Sequence, residues 1–89
     1  MEKVYVVTEE KNWKNVEYND VISIHRTKEK ALEMLAECKD NFQSEHKFEL
    51  KEIRDNYDYE EKDNDLYYTF LDECMGYYYE VAIAIRDLD

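Results

Sequence analysis

The 89-residue chain has no proline and a single glycine, Gly76. One glycine excludes the phosphate cradles of P-loop and dinucleotide-binding proteins, which need several close backbone approaches. With no proline, no low-complexity stretch and no internal repeat, nothing marks a linker, and the expectation is one domain over residues 1–89. Cysteine is scarce, with Cys38 and Cys74 far apart and no Cys-x-x-Cys. Long apolar runs are missing as well. The longest, Val81 to Ile85, falls far short of the ~20 residues that cross a bilayer. Val4 to Val7 is too short for a signal peptide and follows Glu2 and Lys3. The expectation is a soluble cytoplasmic protein with no membrane partner. Two free, buried thiols are then favoured over a Cys38–Cys74 disulfide, which an oxidising compartment would permit.

Basic residues are few, and what is present in excess is acid. Twenty-three Asp and Glu stand against twelve Lys and Arg, a net charge of −11. Residues 1–54 carry twelve acids and ten bases; residues 55–89 carry eleven acids against Lys62 and Arg86 alone. Such a field repels nucleic acid and anionic membranes and draws basic partners from a distance. An apolar share of 44% with nine Tyr, three Phe and one Trp argues against disorder. A chain this size buries roughly 60 to 65% of its unfolded surface, enough for a modest core.

Met1 to Thr8 reads as a strand with apolar residues on both faces, Val4 and Val6 on one and Tyr5 and Val7 on the other. Glu9 to Asn15, centred on Trp13, suits a hairpin connection. Val16 to Arg26 resumes the strand around Val21, Ile22 and Ile24, with a bulge or turn at Asn19-Asp20. Thr27 is the expected N-cap of a helix over about Lys28 to Gln43, with Glu29 in its first turn. Ala31, Met34, Leu35, Cys38 and Phe42 form its apolar stripe. Phe48 to Arg54 alternates like a strand, although Ile53 falls opposite Phe48 and Leu50. Asp55 to Asp65 reads as a solvated acidic loop. A second helix then follows, capped by Asp63 or Asp65, with Leu66, Phe70 and Cys74 on one face and Gly76 at its end. A strand over Tyr67 to Leu71 is the competing reading, because Tyr, Thr and Phe favour sheets. Tyr77 to Arg86 closes the fold as a strand apolar on both sides, which belongs mid-sheet, and Ala82 and Ala84 would let a helix pack close. The expected class is α+β: a four-stranded, mostly antiparallel sheet in the order β-β-α-β-(α)-β, with helices on one face.

Catalytic chemistry finds little to use. His25, His46, Cys38 and Cys74 are the only soft ligands, and a zinc site would need all of them to converge. Both cysteines lie on expected apolar stripes, where thiols are buried and inert more often than nucleophilic. A carboxylate pair needs a concave site that so short a chain rarely encloses. Asp58, Glu60, Asp63 and Asp65 are hard oxygen ligands, but the glycine-containing pattern of a calcium loop is absent. No catalytic residue, metal site or cofactor is expected.

The acidic stretch has a bland reading, a solvated loop that keeps the chain soluble, and a sharper one. Asp58 and Glu60 on an extended chain lie about 6.7 Å apart, and acids on adjacent helical turns about 5–6 Å apart, near enough to phosphate spacing to occupy a basic groove. Interleaved tyrosines supply rigid anchors. Asp55, Tyr57, Asp58, Tyr59, Glu60, Glu61, Asp63, Asp65, Asp72 and Glu73 are therefore the candidate partner-binding residues, with Tyr67, Tyr68 and Tyr78 as partly exposed neighbours. Trp13 is read as a core residue, with an interface anchor as the alternative.

The segments VYVVTEE, VISIHRTKEKALEML and YYYEVAIAIRDLD, with the helix start Thr27-Lys28-Glu29-Lys30-Ala31 and the tail Asp87-Leu88-Asp89, resemble small proteins of bacteriophages and mobile elements of low-GC Gram-positive bacteria. The resemblance covers about half the chain, leaves out Asp55 to Asp65, and carries no catalytic residue. It implies an inhibitor of host defence, of the anti-CRISPR or anti-restriction kind. Such a protein would bind a basic host protein, a CRISPR effector or other nuclease, through a nucleic-acid-mimicking surface in the host cytoplasm. The alternative is an accessory protein that assembles through its sheet edge or open sheet face, as a homodimer or with a phage or host protein.

Overall fold

The computed structural model describes residues 2–88. Met1 of the expected first strand and Asp89 of the tail lie outside them. Seven elements follow in order: β1 (Lys3–Trp13), β2 (Val16–His25), α1 (Lys28–Glu45), α2 (Lys47–Asn56), β3 (Tyr59–Asp63), β4 (Tyr67–Asp72) and β5 (Tyr78–Asp87). They form an α+β fold with one five-stranded sheet, order β2-β1-β5-β4-β3, antiparallel at every pairing. The expected fourfold sheet is corrected to five strands, and its order differs.

Each correction has a local cause. β1 runs on through Glu9 to Trp13, and the hairpin closes on Lys14-Asn15, with Lys14 in the left-handed region at φ 55°. The irregularity in β2 falls beside Val21 to Ser23, where Ile22 is the extra residue, and not at Asn19-Asp20. Phe48 to Arg54 is helical. Leu50 and Ile53, three residues apart, are both buried, whereas a strand would send them to opposite faces. The mismatch at Ile53 was the helical period.

The expected acidic loop holds β3, an edge strand exposed at every position. The expected second helix is β4, with Tyr68, Phe70 and Asp72 buried on one face and Tyr67, Thr69 and Leu71 half-buried on the other. Asn64 caps, but for a hairpin: its side-chain oxygen accepts from the N–H groups of Leu66 and Tyr67 at 2.8 and 3.0 Å. Gly76 does take a left-handed conformation (φ 75°), in the turn before β5 rather than at a helix end.

α1 matches its expected start and, apart from the half-buried Met34, its expected stripe, and it runs past Gln43 to Glu45. Thr27 accepts from the Lys30 N–H at 3.3 Å, and Ala31, Leu35, Cys38 and Phe42 are buried. Both helices lie on the sheet face that carries Val7, Trp13, Tyr68, Phe70, Tyr79, Val81 and Ile83. Phe42 stacks on Tyr79 (centroids 4.0 Å apart) and meets Trp13 edge-on at 5.4 Å, so Trp13, 1% exposed, is core. β5 is the central strand, as expected. Ala82 and Ala84, however, face away from both helices. The radius of gyration, 14.2 Å, exceeds the about 12 Å of a compact chain this long, because the molecule is elongated, 48 × 21 × 18 Å.

Candidate partner-binding surface

The residues expected to bind a partner lie on or beside the β3–β4 edge of the sheet but do not form a uniform anionic wall. On β3, Tyr59, Glu61 and Asp63 share the helix side with their register partners Asp72, Phe70 and Tyr68. There Glu61 accepts from Arg54 at 2.7 Å and from the Tyr68 hydroxyl, and Asp63 pairs with Lys39. Asp55 pairs with Lys51 at 2.7 Å and Glu60 lies 3.6 Å from Lys62. Basic side chains from both helices thus fold over the strand. Tyr59 stacks on Phe70 at 5.5 Å; Tyr57 is exposed beside Ile53, Cys74 and Met75. Asp58, Asp65 and Glu73 stay exposed and enter none of the ion pairs of the described residues.

Asp72 is a correction. It is 1% exposed, and its carboxylate accepts from the N–H groups of Cys74 and Met75 at 2.9 and 3.4 Å, tying down the turn before β5. Tyr68, expected to be partly exposed, is fully buried; burial and its bond to Glu61 push its hydroxyl pKa up. Tyr67 and Tyr78 are half-buried.

The sheet face without helices holds what the sequence reading missed. Register pairs lay its side chains out in rows across the strands. Ile24, Val6 and Ala84 form one; Val21, Thr8, Ala82 and Tyr67 the next. Then come Asn19, Glu10, Glu80, Thr69 and Lys62, followed by Glu17, Asn12, Tyr78, Leu71 and Glu60. The first two rows, with Val4 beside them, are apolar apart from Thr8, where an open antiparallel face is ordinarily polar. Val21 and Ile24 are 61% and 63% exposed. In the third row Glu10 and Glu80 sit directly opposite each other on adjacent strands, an arrangement that destabilises a sheet. Both are half-buried. Their hydrogen bonds come from neutral groups, Asn19 at 3.4 Å and Tyr78 at 3.0 Å. Glu10, Glu17 and Glu80 enter none of the ion pairs of the described residues. Strand alternation in Val4 to Glu10 and Tyr78 to Arg86 was the available signal; the strand pairing was not.

The remaining chemistry-bearing groups stay apart. Among the described residues no three His, Cys, Asp or Glu side chains converge on a metal-holding arrangement. Cys38 is buried, which raises its thiol pKa to about 11; Cys74, expected buried on a helix, is exposed in a turn. His46, at the junction of α1 and α2, packs 4.8 Å from Trp13 and meets Glu49 at 3.0 Å through Nδ1, leaving Nε2 buried without a hydrogen bond. Lys11, 5% exposed, lines a cleft of about 380 Å³ under α1, 3.5 Å from Glu45. No helix of the described residues is long and apolar enough to cross a membrane.

No family model, no curated protein and no solved structure matches the chain.

Proposed function

We propose that the chain is a non-catalytic binding protein that occupies the basic surface of a nucleic-acid-binding protein. This is the inhibitor class expected of a mobile-element anti-defence protein. The observation that supports this reading best is the Glu10–Glu80 pair, two half-buried carboxylates held face to face mid-sheet beside exposed apolar rows. Opposed like charges cost stability in the free chain. A lysine or arginine delivered by a partner relieves that cost, and the adjoining apolar rows supply buried area. The anionic field of the whole chain speeds the encounter. Glu61 and Asp63, already matched by Arg54 and Lys39, have less to offer a cation. The β3 hairpin then contributes long-range attraction through Asp58, Asp65 and Glu73.

Homodimerisation through the sheet draws on the same apolar rows, but it brings together two chains of net charge −11. Capture from a Gram-positive host lysate, with identification by mass spectrometry, tests the proposal. Wild type and a variant with Asp58, Glu60 and Asp65 changed to amides retain the same basic nucleic-acid-binding protein, duplex DNA competes for it, and Glu10→Gln with Glu80→Gln releases it. Retention indifferent to Glu10 and Glu80, or capture of no basic protein, overturns the reading.

A further inference from the structure

Resting on that reading, we infer that the open sheet face receives an amphipathic α-helix of the partner, laid along β5 in a trough floored by Ala82 and Ala84, with a basic residue over Glu10 and Glu80. β5 is the central strand, and its two open-face alanines are flanked by larger side chains: Val6 and Thr8 on β1, Tyr67 on β4. Small residues on a sheet let a helix axis come close. The chain's own helices lie on the other side, so this approach is left vacant. Every other open-face position on β5, namely Tyr78, Glu80 and Arg86, carries a long side chain. The trough is therefore short and has defined ends.

Its ends set polarity and length. Ala84 to Glu80 is four residues of strand, about 13 Å, which about nine helical residues cover. The occupant is a helix of two to three turns with apolar side chains at one end of its stripe, against Val4, Val6, Val21 and Ile24. A Lys or Arg stands at the other end, against the two carboxylates. A flat apolar β-sheet would instead bridge over the alanines and leave the trough unfilled, losing contact along the central strand.

Designed peptides of about 15 residues, long enough to hold helix, test the inference by titration into isotope-labelled full-length protein. One is an amphipathic Leu/Lys helix with its lysines grouped at one end of the stripe; another alternates Leu and Lys and favours a strand. The helical peptide is expected to shift the resonances of Val4, Val6, Val21, Ile24, Ala82 and Ala84. Ala84→Phe, at a half-buried position of the open face, weakens it about tenfold, and Ala84→Ser leaves it bound. If the strand-former binds equally well, or Ala84→Phe changes nothing, the helix is wrong; the basic-partner reading still stands where Glu10→Gln with Glu80→Gln weakens both peptides. If neither peptide perturbs this face, or if sedimentation shows a dimer that Val21→Lys dissolves, inference and reading fall together.

Discussion

The Glu49 carboxylate meets three side chains, Trp13 Nε1, His46 Nδ1 and Lys14 Nζ. Burial raises its carboxyl pKa, but hydrogen bonds from His46, Lys14 and Trp13 outweigh it and hold the group at about 2, below its ordinary 4.5. Its folded pKa is depressed, so its contribution is complete above about pH 4.5 and fades as pH falls through about 2. Glu49→Gln is expected to cost about 1–2 kcal/mol at neutral pH, allowing for solvent screening of a side chain one-third exposed. Melting curves should show the gap to wild type closing between pH 4.5 and pH 2; a gap constant with pH would mean that packing, not charge, carries the effect. The two thiols part company at the same scale. Cys74 is exposed and Cys38 buried. A thiol reagent on the native protein should add one label by intact mass, at Cys74, and a second only after denaturant is added.

At the scale of elements, the helical reading of residues 47–56 is open to a paired test. Ile53 is 7% exposed and Phe48 82%. Ile53→Ala should cost about 2–4 kcal/mol in denaturant midpoint analysis, and Phe48→Ala should stay within about 0.5 kcal/mol. A strand burying Phe48 would reverse them. The turn between β4 and β5 depends on one buried carboxylate, that of Asp72. Asp72→Ala strands two N–H groups and should lower stability by about 1–3 kcal/mol, whereas Glu73→Ala, on an exposed neighbour, should not. These two hairpins were legible as chemistry before they were legible as shape. A cap was expected at Asp63 or Asp65 and a left-handed residue at Gly76; the cap is the residue between those two acids, Asn64, and both it and Gly76 serve turns between strands. The ambiguity was physical: an Asx cap and a left-handed glycine close a helix end and a hairpin alike.

For the whole molecule, the unmatched charge sits where it costs stability. Glu80→Gln is expected to stabilise the free protein by about 0.2–1 kcal/mol while weakening partner capture, the signature of a residue kept for function. The same substitution at Asp65 should leave both nearly unchanged. Binding should also fall steeply with added salt, as screening shortens the reach of a chain at −11. Thermal melts of the free variants alongside capture assays check both directions; a Glu80→Gln chain that is no more stable than wild type removes the argument from opposed charges.

Local pattern alone settled that two strands open the chain, though not where the first ends or where the second bulges, and it settled α1 with its Thr27 cap and the central place of β5, because each follows from periods of two or 3.6 within a few residues. It also settled the anionic surplus. Tertiary structure decided what pairing across the chain controls. Lys39 and Arg54 reach the acids of β3, Ala82 and Ala84 turn away from both helices, and Glu10 meets Glu80 from a strand far along the sequence. A residue's period says which face it shares with its near neighbours. Only the register between distant strands says which charge it must face.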